Sequence, residues 1–286
     1  MLREYMSTLT PRSQSALVNL LVNKKKMITQ QSIAKVMTET DRKYFLPSDA
    51  KDIYDDIPQP IGFNATLSAP HMAGVMLDYL ANHLKSGANV LDIGSGSGYI
   101  TACAAKLVGK SGHVVGVDHI QELVDQSIQN VTLALKATNQ SDLLERITLT
   151  VGDGFLGHPD KQPYDVIYVG AAAESLPVDL VKQLKIGGRM VIPVGPANLF
   201  HQLLIVDKLE DSSIKIKSCG VVRFVPLTSK SQQLHSGNHA NATKVLDLNG
   251  NKCLVRAEII PAPDSQEFKN YEEKYNKLIL GINSNS

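Results

Sequence analysis

Residues 90–98 read Val-Leu-Asp-Ile-Gly-Ser-Gly-Ser-Gly, an apolar strand that runs straight into alternating glycines. Val90, Leu91 and Ile93 suit a strand buried on both faces, and Gly94, Gly96 and Gly98 remove side chains that would hold a ligand away from the backbone. A helix from about Ser97 to Val108 then aims its unpaired amides at the bound molecule. Such turns serve several nucleotide-containing ligands, and spacing separates them. The pattern is G-x-G-x-G, not the dinucleotide G-x-G-x-x-G, and no lysine follows as a phosphate-binding loop requires. A second strand, His113 to Val117, ends in Asp118, where a carboxylate can take both hydroxyls of a ribose. A third, Ile147 to Val151, runs into Gly152-Asp153-Gly154, where a carboxylate can accept from an adenine amino group. Asp or Gly at three successive strand ends favours S-adenosylmethionine over NAD. The plainer reading, that Asp118 and Asp153 cap the next helices, serves either one alone better than both together.

The elements that must position these groups follow from periodicity. Two N-terminal helices, about Ser13 to Asn23 and Gln31 to Glu39, carry Leu17, Leu20 and Leu21, and Ile33, Val36 and Met37, at helical spacing. A loop from Ile61 to Ala69 leads to a helix from about Pro70 to Leu84, and then to the glycine-rich strand. Further on come a strand at Tyr164 to Gly170, a helix near Pro177 to Leu184, and strands at Met190 to Val194, Gln202 to Leu209 and Val221 to Val225. Strand and helix in alternation predict an α/β fold with a doubly wound, mostly parallel sheet. The late strands, with no helix between them, predict antiparallel pairing at one edge. Ligand then lies beyond the carboxyl ends of the first strands.

With 286 residues, 43% of them hydrophobic, the chain can bury a sizeable core. A net charge of +1 argues against nucleic acid or an anionic membrane surface as the main partner. Lys24, Lys25 and Lys26 read as a solvated helix end. The apolar piece Ala16 to Val22 is too short to span a membrane or to be a signal core. Cys103, Cys219 and Cys253 are odd in number and scattered, which fits a reducing cytoplasm and no metal site. Cys103 reads as a packing residue.

Several blocks go beyond a generic fold. Ile61-Gly-Phe-Asn-Ala-Thr66-Leu-Ser68-Ala-Pro70-His71-Met72, the glycine turn through Tyr99, and Gly116-Val-Asp118-His119-Ile120 resemble the protein-L-isoaspartate O-methyltransferase family. So do Val151-Gly-Asp153-Gly154, Val169-Gly-Ala-Ala-Ala173, Gly187-Gly188-Arg189, Pro193-Val-Gly-Pro196 and Phe224-Val-Pro226-Leu-Thr228. The likeness covers roughly residues 13–233. It implies N-terminal helices and a lead-in segment over 1–60, a methyltransferase core over 61–233, and an extension over 234–286.

The resemblance implies a monomer that methylates isoaspartyl and D-aspartyl residues of varied polypeptides. Ala65, Thr66, Leu67, Ser68, Asp92, Gly94, Ser95, Gly96, Asp118, His119, Asp153, Gly154, Thr228 and Gln233 would bind the S-adenosylmethionine, with Thr228 and Gln233 closing over its far side. Ser68 would give the acceptor carboxylate a hydroxyl hydrogen bond. The alternative for Ser68 is a cap on the helix that begins at Pro70. The substrate would lie near Phe224 and Val225, held through its backbone. Because a carboxylate is ionised at neutral pH, the reaction needs no general base, and no lysine or arginine is expected at the reacting group. The sequence departs from animal members at Ala73, where they often carry His, at Leu67, usually Ile, and in lacking Trp.

Two rivals stay open: a methyltransferase for a small-molecule acid or amine, which has no reason to keep residues 66–70 as they stand, and a cofactor-binding adaptor that recruits partners through 234–286. In that extension Asn249-Gly250 marks a turn between Lys244–Leu248 and Lys252–Ala257, a helix is expected near Gln266 to Leu280, and Asn249 is itself prone to form isoaspartate.

Overall fold

The computed structural model describes residues 11–197, 199–235 and 257–260. The chain begins with α1 (Gln14–Asn19), capped by Ser13, whose Oγ accepts from the Ala16 N–H. A π-helical turn over Leu20–Lys24 continues it, and α2 (Gln31–Glu39) follows. Leu17, Leu21, Ile33 and Met37 enter the same core cluster as Met76, Leu77 and Cys103 further along. Lys25 is more than a solvated helix end, since its Nζ meets Asp56 Oδ2 at 2.5 Å. The stretch expected to be a loop after Ile61 is instead a small hairpin of β1 (Gln59–Gly62) and β2 (Ala65–Leu67). Its two turn residues, Phe63 and Asn64, both have positive φ (51° and 57°), the signature of a type I′ turn. Next comes α3 (Pro70–Leu80), which stops short of Leu84.

The main sheet is built from β3 (Asn89–Ile93), α4 (Tyr99–Val108), β4 (His113–Asp118), α5 (Gln121–Ala137), β5 (Ile147–Val151), β6 (Tyr164–Val169), α6 (Val178–Gln183), β7 (Leu184–Val194), β8 (His201–Lys208) and β9 (Ile214–Val222). After α7 (Lys230–His235), β10 (Ala257–Ile260) adds to the free edge of β9. The strand order is β10-β9-β8-β7-β6-β3-β4-β5. β3 to β7 pair in parallel and β8 to β10 antiparallel, as expected for a doubly wound sheet with one antiparallel edge. From β3 the chain winds outward through β4 and β5, then returns to place β6 on the other side of β3. That reversal opens a crevice at the carboxyl ends of β3 and β6.

Alternate residues face two separate cores. Val90, Val114, Val166 and Val191 point to the face covered by α3, α4 and α5, while Leu91, Val115, Ile167 and Ile192 point to the face that buries Leu180 and Val181 of α6. β7 runs longer than expected. Its pairing jumps from Leu184 to Arg189 while β6 advances only from Tyr164 to Val166, so Lys185–Gly188 bulge out of register. β9 begins at Ile214, earlier than expected, and ends at Val222. The hairpin and helix expected in the extension lie outside the described residues, as do Asn249 and Cys253.

One glycine has a different reason from the one its spacing suggested. Gly98 (φ 87°) caps α4, and a Cβ there would come within 2.8 Å of Val131 Cγ2 and 3.2 Å of Ser127 Cβ on α5. It is bare so that two helices can pack, not so that a ligand can approach. Gly98→Ala combines a left-handed backbone with overpacking and is expected to cost roughly 2–3 kcal/mol of stability. Urea denaturation of the full chain measures this.

Candidate active site

The turn that leaves β3 is sewn to β4. Gly94 and Ser95 both donate their N–H groups to the Val117 carbonyl, at 2.9 and 3.1 Å, and Gly96 donates to Asp118 Oδ2 at 2.9 Å. Asp118 Oδ1 accepts in turn from the Ile120 N–H at 3.1 Å. Asp118 thus makes a local turn before α5 and lines the cleft; it does not cap α5, whose cap position belongs to Ile120 without a side-chain bond. On the other side Gly170 donates to the Ile93 carbonyl at 2.7 Å, which brings the end of β6 against the same loop.

The segment Ala171–Ala173 is bonded to two further stretches of chain. Ala172 exchanges backbone hydrogen bonds with Val225 and Leu227, at 2.8 and 2.7 Å. Ala173 donates to Pro193 at 3.0 Å and accepts from Gly195 at 2.9 Å. Across the mouth, Gln233 on α7 acts as a latch. Its Nε2 donates to the Phe63 carbonyl at 2.8 Å, its carbonyl accepts from Asn64 Nδ2 at 2.8 Å, and its Oε1 lies 2.7 Å from His119 Nε2. Thr228 Oγ1 donates to Gln232 Oε1.

Together these elements line a cleft that is partly open to solvent. Ala65, Thr66, Gly94, Gly96, Asp118, His119, Gly154, Val225, Thr228 and Gln233 line it, ten of the positions marked from sequence. Asp153 lines the adjoining outer hollow beside Phe155, exposed, with Oδ1 accepting the Phe155 N–H at 2.9 Å. Ile61, Val117, Gly170, Ala171, Pro226 and Leu227 also line the cleft and were not marked. They contribute backbone and apolar surface, which carries no chemical signature in a sequence. Among the described residues no lysine or arginine lines the cleft; Lys230 stands in the outer hollow.

The other marked residues, Leu67, Ser68, Asp92, Ser95 and Phe224, line neither the cleft nor the outer hollow. Leu67 is buried in the main core, and Phe224 is half-buried against it. Ser68 is half-buried where β2 runs into α3. The cap position of α3 belongs to Ala69, so Ser68 does not cap that helix. The junction is pinned from beneath: the His71 N–H and Nδ1 both meet Asp56 Oδ1, at 2.8 and 2.9 Å. Burial alone would raise the Asp56 pKa, but the bonds from His71 and Lys25 prevail and lower it to about 2. Ser95 is buried, and its Oγ finds no partner among the described residues.

Asp92 sits behind the glycine turn, 1% exposed, taking a hydrogen bond from Thr101 Oγ1 at 2.7 Å on one oxygen and none on the other. Burial pushes its pKa up to about 7; Thr101 opposes this and the nearby Asp118 charge adds to it. Burial likewise pushes the Cys103 thiol up to about 12, in keeping with a packing role.

The family model for protein-L-isoaspartate(D-aspartate) O-methyltransferases matches residues 12–232. The chain belongs to this family. A Dictyostelium discoideum relative named as a probable protein-L-isoaspartate O-methyltransferase is 52% identical over 94% of this chain and 84% of its own length. Protein-L-isoaspartate O-methyltransferase 1 of Arabidopsis thaliana is 45% identical over 82% of this chain and 99% of its own. Among solved structures, a Plasmodium falciparum protein assigned to the same activity, in complex with S-adenosyl-L-homocysteine, superposes with a TM-score of 0.68 at 27% identity. That match covers 76% of this chain and 99% of the other.

The Asp92 carboxyl gives this family member a pH signature. Its folded pKa lies above the unfolded value of about 3.9, so its contribution is complete below that value and is lost as pH rises toward about 7. Asp92→Asn is expected to remove the decline in stability between about pH 4 and pH 7, read by chemical denaturation at a series of pH values.

Proposed function

We propose that the chain is an S-adenosylmethionine-dependent protein carboxyl O-methyltransferase acting on the free carboxylate of isoaspartyl and D-aspartyl residues, whose ester then recloses to a succinimide. The observation that carries this reading is the juxtaposition of Ala65 and Thr66 with the Gly94–Gly96 turn and Asp118 in one cleft whose lining has no lysine or arginine. The cleft fits the cofactor: a glycine-lined floor at a strand end and a carboxylate at the end of the next strand. S-adenosylmethionine, when bound, supplies an electrophilic sulfonium methyl, and the attacking oxygen belongs to the substrate.

The residues of the chain contribute alignment. Gly94, Gly96 and Asp118 hold the nucleoside end, and the Gln233 latch closes the mouth against water. Ser68 offers its hydroxyl to the acceptor carboxylate. Positioning of this kind can lower a barrier by roughly 7–11 kcal/mol. A cationic side chain at the acceptor would stabilise the ionised ground state more than a transition state in which charge is being neutralised, so its absence from the lining favours the reaction. Backbone recognition along Phe224–Val225 would tolerate varied neighbours of the damaged residue.

Among the described residues no helix is long and apolar enough to cross a membrane. The three scattered cysteines, Cys103, Cys219 and Cys253, with the near-neutral charge, support a cytoplasmic monomer that does not rely on nucleic acid.

Incubated with labelled cofactor, the protein is expected to methylate an isoaspartyl peptide and not its normal-aspartyl twin; equal labelling of both, or of neither, overturns the reading. Ser68→Ala should lower kcat for the isoaspartyl peptide by about 10–100-fold, the loss of one charge-assisted hydrogen bond, a larger effect than on cofactor affinity by calorimetry. Gln233→Ala should do the reverse, raising the cofactor KM by about tenfold with little change in peptide KM.

A further inference from the structure

His201 opens β8 and is 1% exposed, yet neither ring nitrogen goes unpaired. Nε2 lies 3.1 Å from the Pro196 carbonyl, and Nδ1 lies 3.2 Å from the Phe224 amide nitrogen. A carbonyl can only accept and an amide can only donate, so this arrangement requires the neutral ring with its proton on Nε2. The two bonds join the turn after β7 to the segment after β9. Each is already tied to the wall of the cleft, the first through Gly195 N–H to Ala173 and the second through Val225 carbonyl to Ala172. His201 closes that ring from behind. It packs so tightly that a Cβ on Gly195 would stand 3.2 Å from its Cα.

We propose that His201 is a positioning residue for the acceptor peptide: its neutral imidazole fixes the Phe224–Val225 edge against the Pro196 turn and thereby sets affinity for the isoaspartyl chain. This rests on the reading that the substrate lies along that edge. Protonation would put a hydrogen on Nδ1, facing the Phe224 N–H, and would break the tie. Burial disfavours the charged ring; the Pro196 bond opposes this, and the Arg223 cation adds to it, so the pKa is lowered from 6.5. The clamp is therefore intact above about 6.5 and is lost as pH falls through the lower folded value. Arg223, next to Phe224, is the charged group that bears on the ring; Gly195, Pro196, Val222 and Phe224 packed around it carry no charge.

The test uses the full chain, an isoaspartyl peptide and two variants. His201→Phe keeps a ring and loses both bonds; its peptide KM is expected to rise about tenfold at pH 7.5 while affinity for S-adenosylhomocysteine stays within about twofold. His201→Gln can donate and accept but does not titrate. As pH falls from 7.5 through the lowered folded value of His201, the wild-type peptide KM should rise, and the His201→Gln value should stay level. Asp92 titrates near the same range in both proteins, so the difference between them is what counts. Fluorescence anisotropy of labelled peptide on S-adenosylhomocysteine-loaded protein should follow the same pattern without turnover. If His201→Phe does not fold, the His201→Gln pH profile decides alone. An unchanged peptide KM in His201→Phe, an equal loss of S-adenosylhomocysteine affinity, or a wild-type pH profile in His201→Gln overturns the role of His201. Failure of the wild-type protein to methylate the isoaspartyl peptide at any pH would instead sink the substrate reading, and this proposal with it.

Discussion

The turn at the end of β3 has to leave the strand at once and still satisfy its amides, and the rest of the site is arranged around that demand. Three successive N–H groups, from Gly94, Ser95 and Gly96, all find their acceptors at the end of β4, in the Val117 carbonyl and the Asp118 carboxylate. The neighbouring strand thus supplies both the support for the loop and one wall of the cleft. A buried amide without a partner would cost about 1–3 kcal/mol, so sequences that lose Asp118 lose the geometry of the loop. Behind the turn, Gly98 lets α4 close on α5, which fixes the direction in which α4 departs.

A second constraint explains why the cleft lies where it does. Because β6 returns beside β3 and not beyond β5, the loops after β3 and β6 diverge, and Gly170 ties them together at their roots through its bond to Ile93. The Ala171–Ala173 strip that follows is stitched to both antiparallel-edge segments, so the outer strands support the cleft wall without adding charged groups to it. A cleft whose described lining carries one carboxylate, Asp118, and no lysine or arginine suits chemistry in which both reactants bring their own charge.

Much of this was legible from sequence where local signals agree. The strands β3, β4, β5 and β6 are short apolar runs closed by Gly or Asp, and α2 keeps a clean helical spacing of Ile33, Val36 and Met37. The β1–β2 hairpin was not legible because its turn is Phe63-Asn64, with no glycine to announce two left-handed residues. β7 was cut short because Gly187-Gly188 reads as a break, although the strand passes through it as a bulge. In β9 the alternation of Ile214 and Ile216 with Lys215 and Lys217 does carry the period of a half-buried strand, but lysines and a glycine masked it. At the site, residues with chemistry in their side chains could be marked, whereas Ile61, Gly170, Ala171, Pro226 and Leu227 matter for shape, which emerges only when distant segments meet. Gly98 shows the converse, a ligand-like spacing that serves helix packing.

The latch at Gln233 lies close to where the chain departs from the rim, after His235, and the chain next appears as β10, annealed to β9 at the outermost edge of the sheet. At the rim, Gln233 is bonded at once to the Phe63-Asn64 turn and to His119 beyond β4, so a displacement of either bank of the mouth is passed to the other through a single side chain and its backbone carbonyl.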